Sequence, residues 1–68
     1  MQEPARYEIR VDGHVGAIWF EGLAVRHTAS GQTVIAGLMD QAALHGVLAQ
    51  VRDLGLTLAA VRRVEGRR

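Results

Sequence analysis

Histidine is the residue type in this sequence best suited to metal binding or acid–base chemistry, and it occurs three times. His14, His27 and His45 lie in different segments, and they lack the H-x-x-x-H and H-E-x-x-H spacings that place two ligands on one helix face. The absence of cysteine excludes thiolate ligands, disulfides and a cysteine nucleophile. Because zinc requires three or four converging ligands, the sequence predicts no metal site and no cofactor.

The seven carboxylates are spread along the chain, and no spacing forces two of them together. Asp40 is explained as the N-cap of a helix, and Asp53 falls on the outer face of the same helix. A sheet covered by one helix also offers little concavity for a substrate. We therefore predict that the chain is not an enzyme. The least favoured alternative is a ligand or catalytic site around His45 and Gln41 where two subunits meet.

All eight basic residues are arginine, and four of them lie in the last seven positions: Arg62, Arg63, Arg67 and Arg68. The planar guanidinium suits phosphate because it donates two hydrogen bonds at once. Neighbouring residues of a strand point to opposite faces, however, so Arg62 and Arg63 cannot share one sheet face. The predicted sheet also lacks exposed aromatic residues that would stack on bases. Nucleic-acid binding by this cluster is the alternative function, and a solvating tail beside an edge strand is the simpler interpretation.

The composition predicts one small domain over residues 1–68, with loose ends at residues 1–5 and 65–68. A chain of this length buries only about 60% of the surface that its unfolded form exposes, so such domains often depend on a partner. No apolar run approaches the roughly 20 residues of a membrane span, and the N-terminus lacks the features of a signal peptide. We expect a cytoplasmic protein without a membrane partner.

Residues 40–64 predict one helix followed directly by a strand. Asp40 suits the N-cap, because its carboxylate accepts hydrogen bonds from the first turn, and Gly55 suits the end of the helix, where positive φ is needed. The apolar stripe of this helix consists of Leu44, Val47, Leu48, Val51 and Leu54. Residues 56–64 contain the β-branched and alternating apolar residues that favour a strand.

Three further strands are predicted upstream of the helix. Residues 7–11 alternate between apolar and charged, which is typical of a strand with one buried and one solvated face. Residues 23–28 and 33–38 flank a short link that contains Gly31, and this pattern favours a β-hairpin. In residues 33–38 either the odd-numbered or the even-numbered side chains are suited to face the core.

Residues 14–22 fit neither the helical nor the strand period, and they contain Trp19 and Phe20. We expect a loop or a single helical turn there. Its aromatic residues either cover one end of the core or form an exposed contact patch.

The element order is therefore β-β-β-α-β, which predicts a two-layer α+β fold with one helix on one face of a four-stranded sheet. We expect the first three strands to form an antiparallel meander. The helix then crosses over to a last strand that runs parallel to the third and lies beside the first. The third and last strands are apolar on both sides, although one helix leaves one sheet face in water. This favours a non-enzymatic module that associates with itself, as a dimer or larger assembly, through either the second sheet face or a sheet edge. Another protein is a further candidate partner, and the alternative is that small alanines are tolerated at the surface.

Two segments carry a resemblance: residues 22–37, G-L-A-V-R-H-T-A-S-G-Q-T-V-I-A-G, and residues 40–58, D-Q-A-A-L-H-G-V-L-A-Q-V-R-D-L-G-L-T-L. Over about residues 7–64 the chain resembles short bacterial and archaeal proteins with a W-F-x-G-L…D-Q-A-A-L-H-G…R-D-L-G-L pattern. It departs from them in a shorter segment before Trp19 and Phe20. That group has no assigned activity, so the resemblance implies a stand-alone domain and no mechanism.

Overall fold

The computed structural model describes residues 3–64 and confirms the predicted α+β order. Its elements are β1 (Ala5–Asp12), a 3₁₀ helix (Ala17–Trp19), β2 (Ala24–His27), β3 (Gln32–Met39), α1 (Gln41–Asp53) and β4 (Leu58–Val64). The first strand begins two residues earlier than the alternation predicted, at Ala5. The expectation of loose ends falls in part on residues 1–2 and 65–68, which lie outside the described residues.

The strands form one sheet in the order β2-β3-β1-β4, and every neighbouring pair is antiparallel. β4 lies beside β1 and runs parallel to β3, as predicted. The predicted meander is wrong, because β3 rather than β2 pairs with β1. The physical reason is that β3 is apolar on both sides, with Val34 2% and Ile35 0% exposed, and therefore takes a central position. The short strand β2 carries Arg26 and His27 and takes the edge.

The connection between β1 and β2, residues 13–23, must therefore pass over β3. It covers the same sheet face as α1, since Val15 and Phe20 join the core with the inward side chains of the strands. The register pairs Ile35 with Ile9, so the odd-numbered residues of β3 face this core. The choice that the sequence pattern left open is thereby resolved. We call the opposite side of the sheet the open face.

Helix α1 begins and ends where its sequence predicts. The Asp40 carboxylate accepts a hydrogen bond of 2.8 Å from the Ala43 amide. Gly55 has a φ of +74°, and the Leu56 amide donates to the carbonyl of Val51 at 3.0 Å, which completes a Schellman motif. Leu44 and Val51 are the buried side chains of the helix. None of the helices within residues 3–64 has the length and apolar character that a membrane crossing requires.

Strand β4 is shorter and less regular than predicted, since it begins at Leu58 rather than at residue 56. Its register with β1 shifts between Arg10, which pairs with Ala60, and Val11, which pairs with Leu58. An extra residue at this point breaks the strict alternation of side chains. Leu58 therefore lies on the helix side of the sheet, as does Val61, which pairs with Ile9.

Candidate functional site

Gln41 and His45 lie one turn apart at the start of α1, and both are exposed. The Gln41 side-chain amide donates a hydrogen bond of 2.8 Å to the hydroxyl of Tyr7, so it joins the helix to β1. Within residues 3–64 no group of three or more histidine and acidic side chains is placed to hold a metal ion. His45 therefore does not belong to a multidentate centre in this part of the chain.

Some large side chains of the connection between β1 and β2 are buried in the core, and others are exposed to solvent. Val15 and Phe20 are 7% and 4% exposed, whereas Ile18 and Trp19 are 84% and 51% exposed. Residues 17–19 form a helical turn, one of the two conformations predicted, and a contact role for its exposed side chains stays a prediction. Phe20 covers the core, and Trp19 forms an apolar patch with Ile18 on a 3₁₀ turn.

Thr33 joins this connection to the sheet by hydrogen bonds. The sequence pattern did not identify Thr33 in this role. Its side chain is fully buried. The Thr33 hydroxyl donates to the Gly13 carbonyl at 2.7 Å and accepts from the Val15 amide at 3.0 Å. A threonine inside an apolar strand is the only local sign of such an anchor, because its partners lie in a distant segment.

His14 and His27 are stacked, with ring centroids 4.6 Å apart and planes inclined by 18°. Nε2 of His27 lies 2.9 Å from the carbonyl oxygen of Val15 and donates to it. Near-parallel rings direct their nitrogens along similar directions rather than towards a shared point, which a metal would need. The pair therefore serves to hold the connection against β2. Sequence reasoning missed it because the two residues meet only through the parallel arrangement of β1 and β2.

Strand β4 forms one edge of the sheet, and its side chains are exposed on both faces of the sheet. Every residue from Leu58 to Arg63 is exposed, and Val64 is half-buried. The two largest apolar side chains of this strand, Leu58 and Val61, are 46% and 41% exposed on the helix side. Since β4 pairs only with β1, the backbone along its outer side has no strand partner within residues 3–64. We call this outer side of β4 the free edge.

The open face is dominated by arginine. Alternation along β1 and the strand registers place four of these side chains there: Arg6, Arg10, Arg26 and Arg62. Arg62 donates to a Glu8 carboxylate oxygen at 2.9 Å. That hydrogen bond, followed by the charges of Arg62, Arg26 and Arg10, lowers the pKa of Glu8 against the raising effect of desolvation. Glu8 therefore acts as a counterion for several arginines at once.

The predicted arginine cluster is not one surface. Arg62 lies on the open face, Arg63 pairs with Tyr7 on the helix side, and Arg67 and Arg68 lie outside the described residues. Arg26, by contrast, joins the open face from the opposite edge of the sheet. The alternation of residues in each strand indicates such outward side chains, but only the strand order shows which of them become neighbours.

No curated protein and no solved structure matches this chain. One family model does match, over residues 6–62, and its description is a domain of unknown function (DUF8691). The matched range begins in β1 and ends in β4, so it includes all of β2, β3 and α1 and most of the other two strands. The chain therefore belongs to the DUF8691 family.

Proposed function

We propose that the protein is a non-enzymatic cytoplasmic module that associates with itself through the free edge of β4. The observation that supports this most strongly is the run of four apolar residues, Leu58 to Val61, all exposed on an edge strand. An exposed apolar edge strand is a template for pairing with another strand. A chain of 68 residues also has little core of its own to offset the entropy of folding.

The sequence of β4 suits pairing with a second copy of itself. In an antiparallel two-fold pair centred on Val61, that residue faces its own equivalent, and Arg62 faces Ala60 of the second copy. Arginines are then never directly opposite each other, whereas a pair centred on Arg62 would place two like charges together. An isologous two-fold contact of this kind is the commonest symmetry of soluble oligomers.

This pairing would form one eight-stranded sheet with both helices on the same side. Val61 of each copy would then meet its own equivalent on the helix side of the seam, where apolar surface is removed from water, and Leu58 would lie opposite Val64 of the second copy. Burial of apolar area contributes about 25 cal/mol per Å². The same contact would thus bury apolar side chains of β4 and give hydrogen-bond partners to the backbone groups along its free edge.

Light scattering across a hundredfold dilution tests the proposal. We expect the unmodified chain to have the mass of a dimer at high concentration. Val61→Glu should convert it to a monomer, because the two-fold contact would place two carboxylates against each other. Val61 is already 41% exposed in the single chain, so the variant should still fold, which circular dichroism can verify.

Ile18→Glu is the matched control, because it makes the same kind of change on the 84%-exposed 3₁₀ turn. It should leave the dimer intact. If Ile18→Glu dissociates the dimer and Val61→Glu does not, the interface lies at the Ile18 and Trp19 patch and the assignment to β4 is wrong. A monomer at every concentration would refute self-association.

A further inference from the structure

The charges of the described residues are separated between the two layers. Residues 3–64 contain six arginines and six carboxylates, so this part of the chain is neutral as a whole. The open face holds four of those arginines but only two of the carboxylates, Glu8 and Asp12. The remaining surface therefore has two arginines and four carboxylates. Within residues 3–64 the open face is therefore positive, and the rest of the surface is negative.

The open-face arginines are spread over an area that matches a nucleic-acid backbone. Arg26 and Arg10 both pair with Val34, so they lie two strands apart, roughly 10 Å. Arg6 and Arg10 are four residues apart on β1, roughly 14 Å. Each strand of a DNA duplex presents one phosphate per about 3.4 Å of helix axis. The arginines are thus separated by more than one phosphate spacing, so each of the four can meet a different phosphate.

An apolar residue lies between Arg26 and Arg10 on the open face. Val34 lies between Arg26 and Arg10 and is only 2% exposed, which is expected if the aliphatic stems of both arginines lie over it. A shallow cleft beside it is lined by Glu8, Ala24, Arg26, Val34 and Ala36. Arg26 lines this cleft, and the Arg10 guanidinium donates a hydrogen bond of 3.4 Å to Gln32 on β3.

We propose that the open face binds the phosphate backbone of double-stranded nucleic acid, without reading its sequence. Arginine forks match phosphate oxygens in pairs, and every basic residue of the chain is arginine. Single-stranded binding would call for aromatic side chains on the sheet. The three aromatic residues lie elsewhere: Tyr7 faces the core, and Trp19 and Phe20 belong to the connection between β1 and β2. Shape and charge are therefore the features that this surface recognises.

Glu8 competes with phosphate for the arginines of the open face. Its carboxylate is bonded to Arg62 and is influenced by Arg26 and Arg10, so it occupies the place that an incoming phosphate would take. Removal of its charge by Glu8→Gln should therefore strengthen binding to a duplex. The gain should exceed that of Asp53→Asn on α1, because a general change in net charge acts in both variants.

Fluorescence anisotropy with a labelled 20-base-pair DNA of random sequence tests the proposal at stepwise salt concentrations. With up to four phosphate contacts per chain, the slope of log K against log salt should approach about −3.6. Arg26→Ala or Arg10→Ala should each weaken binding about five- to tenfold at 0.1 M salt and reduce the slope by about 0.9. Arg52→Ala, on the exposed side of α1, is the matched control and should change neither value.

Several results would overturn the proposal. These are absence of duplex binding at 50 mM salt, equal effects of Arg52→Ala and Arg26→Ala, or no gain from Glu8→Gln. Tighter binding to single-stranded DNA of the same sequence would also contradict it. Binding to vesicles with 30% anionic lipid, without binding to the duplex, would show that the face meets a membrane surface instead. Repetition with Val61→Glu separates this proposal from self-association, because the open face is complete in one chain.

Discussion

Gly37 lies directly beneath Leu23, because a β-carbon built on Gly37 would come within 2.6 Å of Leu23 Cδ2. The glycine of β3 thus allows the end of the β1–β2 connection to pack closely against the sheet. Gly37→Ala should force the Leu23 side chain out of its position and cost about 1 kcal/mol of unfolding free energy. Urea denaturation of the two proteins measures this difference.

The effect of Gly37→Ala on the unfolding free energy should change sign when Leu23 is truncated. Leu23→Ala removes the atoms that collide, so Gly37→Ala in that background should stabilise the strand, where alanine loses less backbone entropy than glycine. A double-mutant cycle with no coupling between the two positions would contradict the packing relationship.

Gly46 lies within α1, and among residues 3–64 a β-carbon there would meet no atom within 4 Å beyond the backbone of its own helix. Close approach of the sheet, one explanation for a glycine inside a helix, is therefore excluded. Gly46→Ala should raise the unfolding free energy by about 1 kcal/mol, the difference in helix propensity between the two residues. Thermal denaturation under dilute conditions provides the test. Absence of any gain would indicate that Gly46 contacts another chain even at low concentration.

Thr33→Val should be more destabilising than Thr33→Ser, although valine is the more apolar residue. Valine keeps the shape but leaves the Val15 amide and the Gly13 carbonyl without their buried partner, at a cost of about 2 kcal/mol. Serine keeps both hydrogen bonds and loses one methyl group, about 0.8 kcal/mol. Urea denaturation ranks the variants, and hydrogen exchange of the Val15 amide should accelerate in Thr33→Val alone. The reverse ranking would show that the hydroxyl does not anchor the connection.

Glu8 should titrate below its ordinary pKa of 4.5, first because Arg62 donates a hydrogen bond to its carboxylate. A lowered pKa in the folded state stabilises the protein above the unfolded pKa. That contribution is lost as the pH falls through the folded value. Arg62→Gln should move the pKa of Glu8 upwards, as measured by NMR of its carboxyl carbon. Arg52→Gln should leave this titration unchanged, and an equal response to both variants would exclude the specific contact.

Local features predicted α1 well, because all of its determinants lie within or next to it. Asp40 bonds to the first turn, the apolar stripe faces the core, and Gly55 has the expected positive φ. The hairpin of β2 and β3 was predictable for the same reason. Neither requires knowledge of how distant segments meet.

The strand order was not predictable in this way. A meander and the observed arrangement contain the same strands, and they differ only in whether residues 13–23 turn tightly or pass over the sheet. The outcome depends on the burial of β3 on both faces and on the anchor that Thr33 provides to a distant loop. The neighbours on the open face depend on the same order. Arg26 and Arg10 lie two strands apart only because β3 stands between β1 and β2.

The central position of β1 also determines how early during synthesis the sheet can form. Among the described elements β1 is synthesised before the others, yet it pairs with β3 and with β4, which follows all of them. Arg6 meets Val64 across the sheet, so every element between them must be synthesised before that pair can form. Such distant pairings make folding slow relative to helical proteins of similar size. We expect nascent chains that end before residue 58 to expose a vacant edge of β1, where pairing with another nascent chain would compete with the arrival of β4.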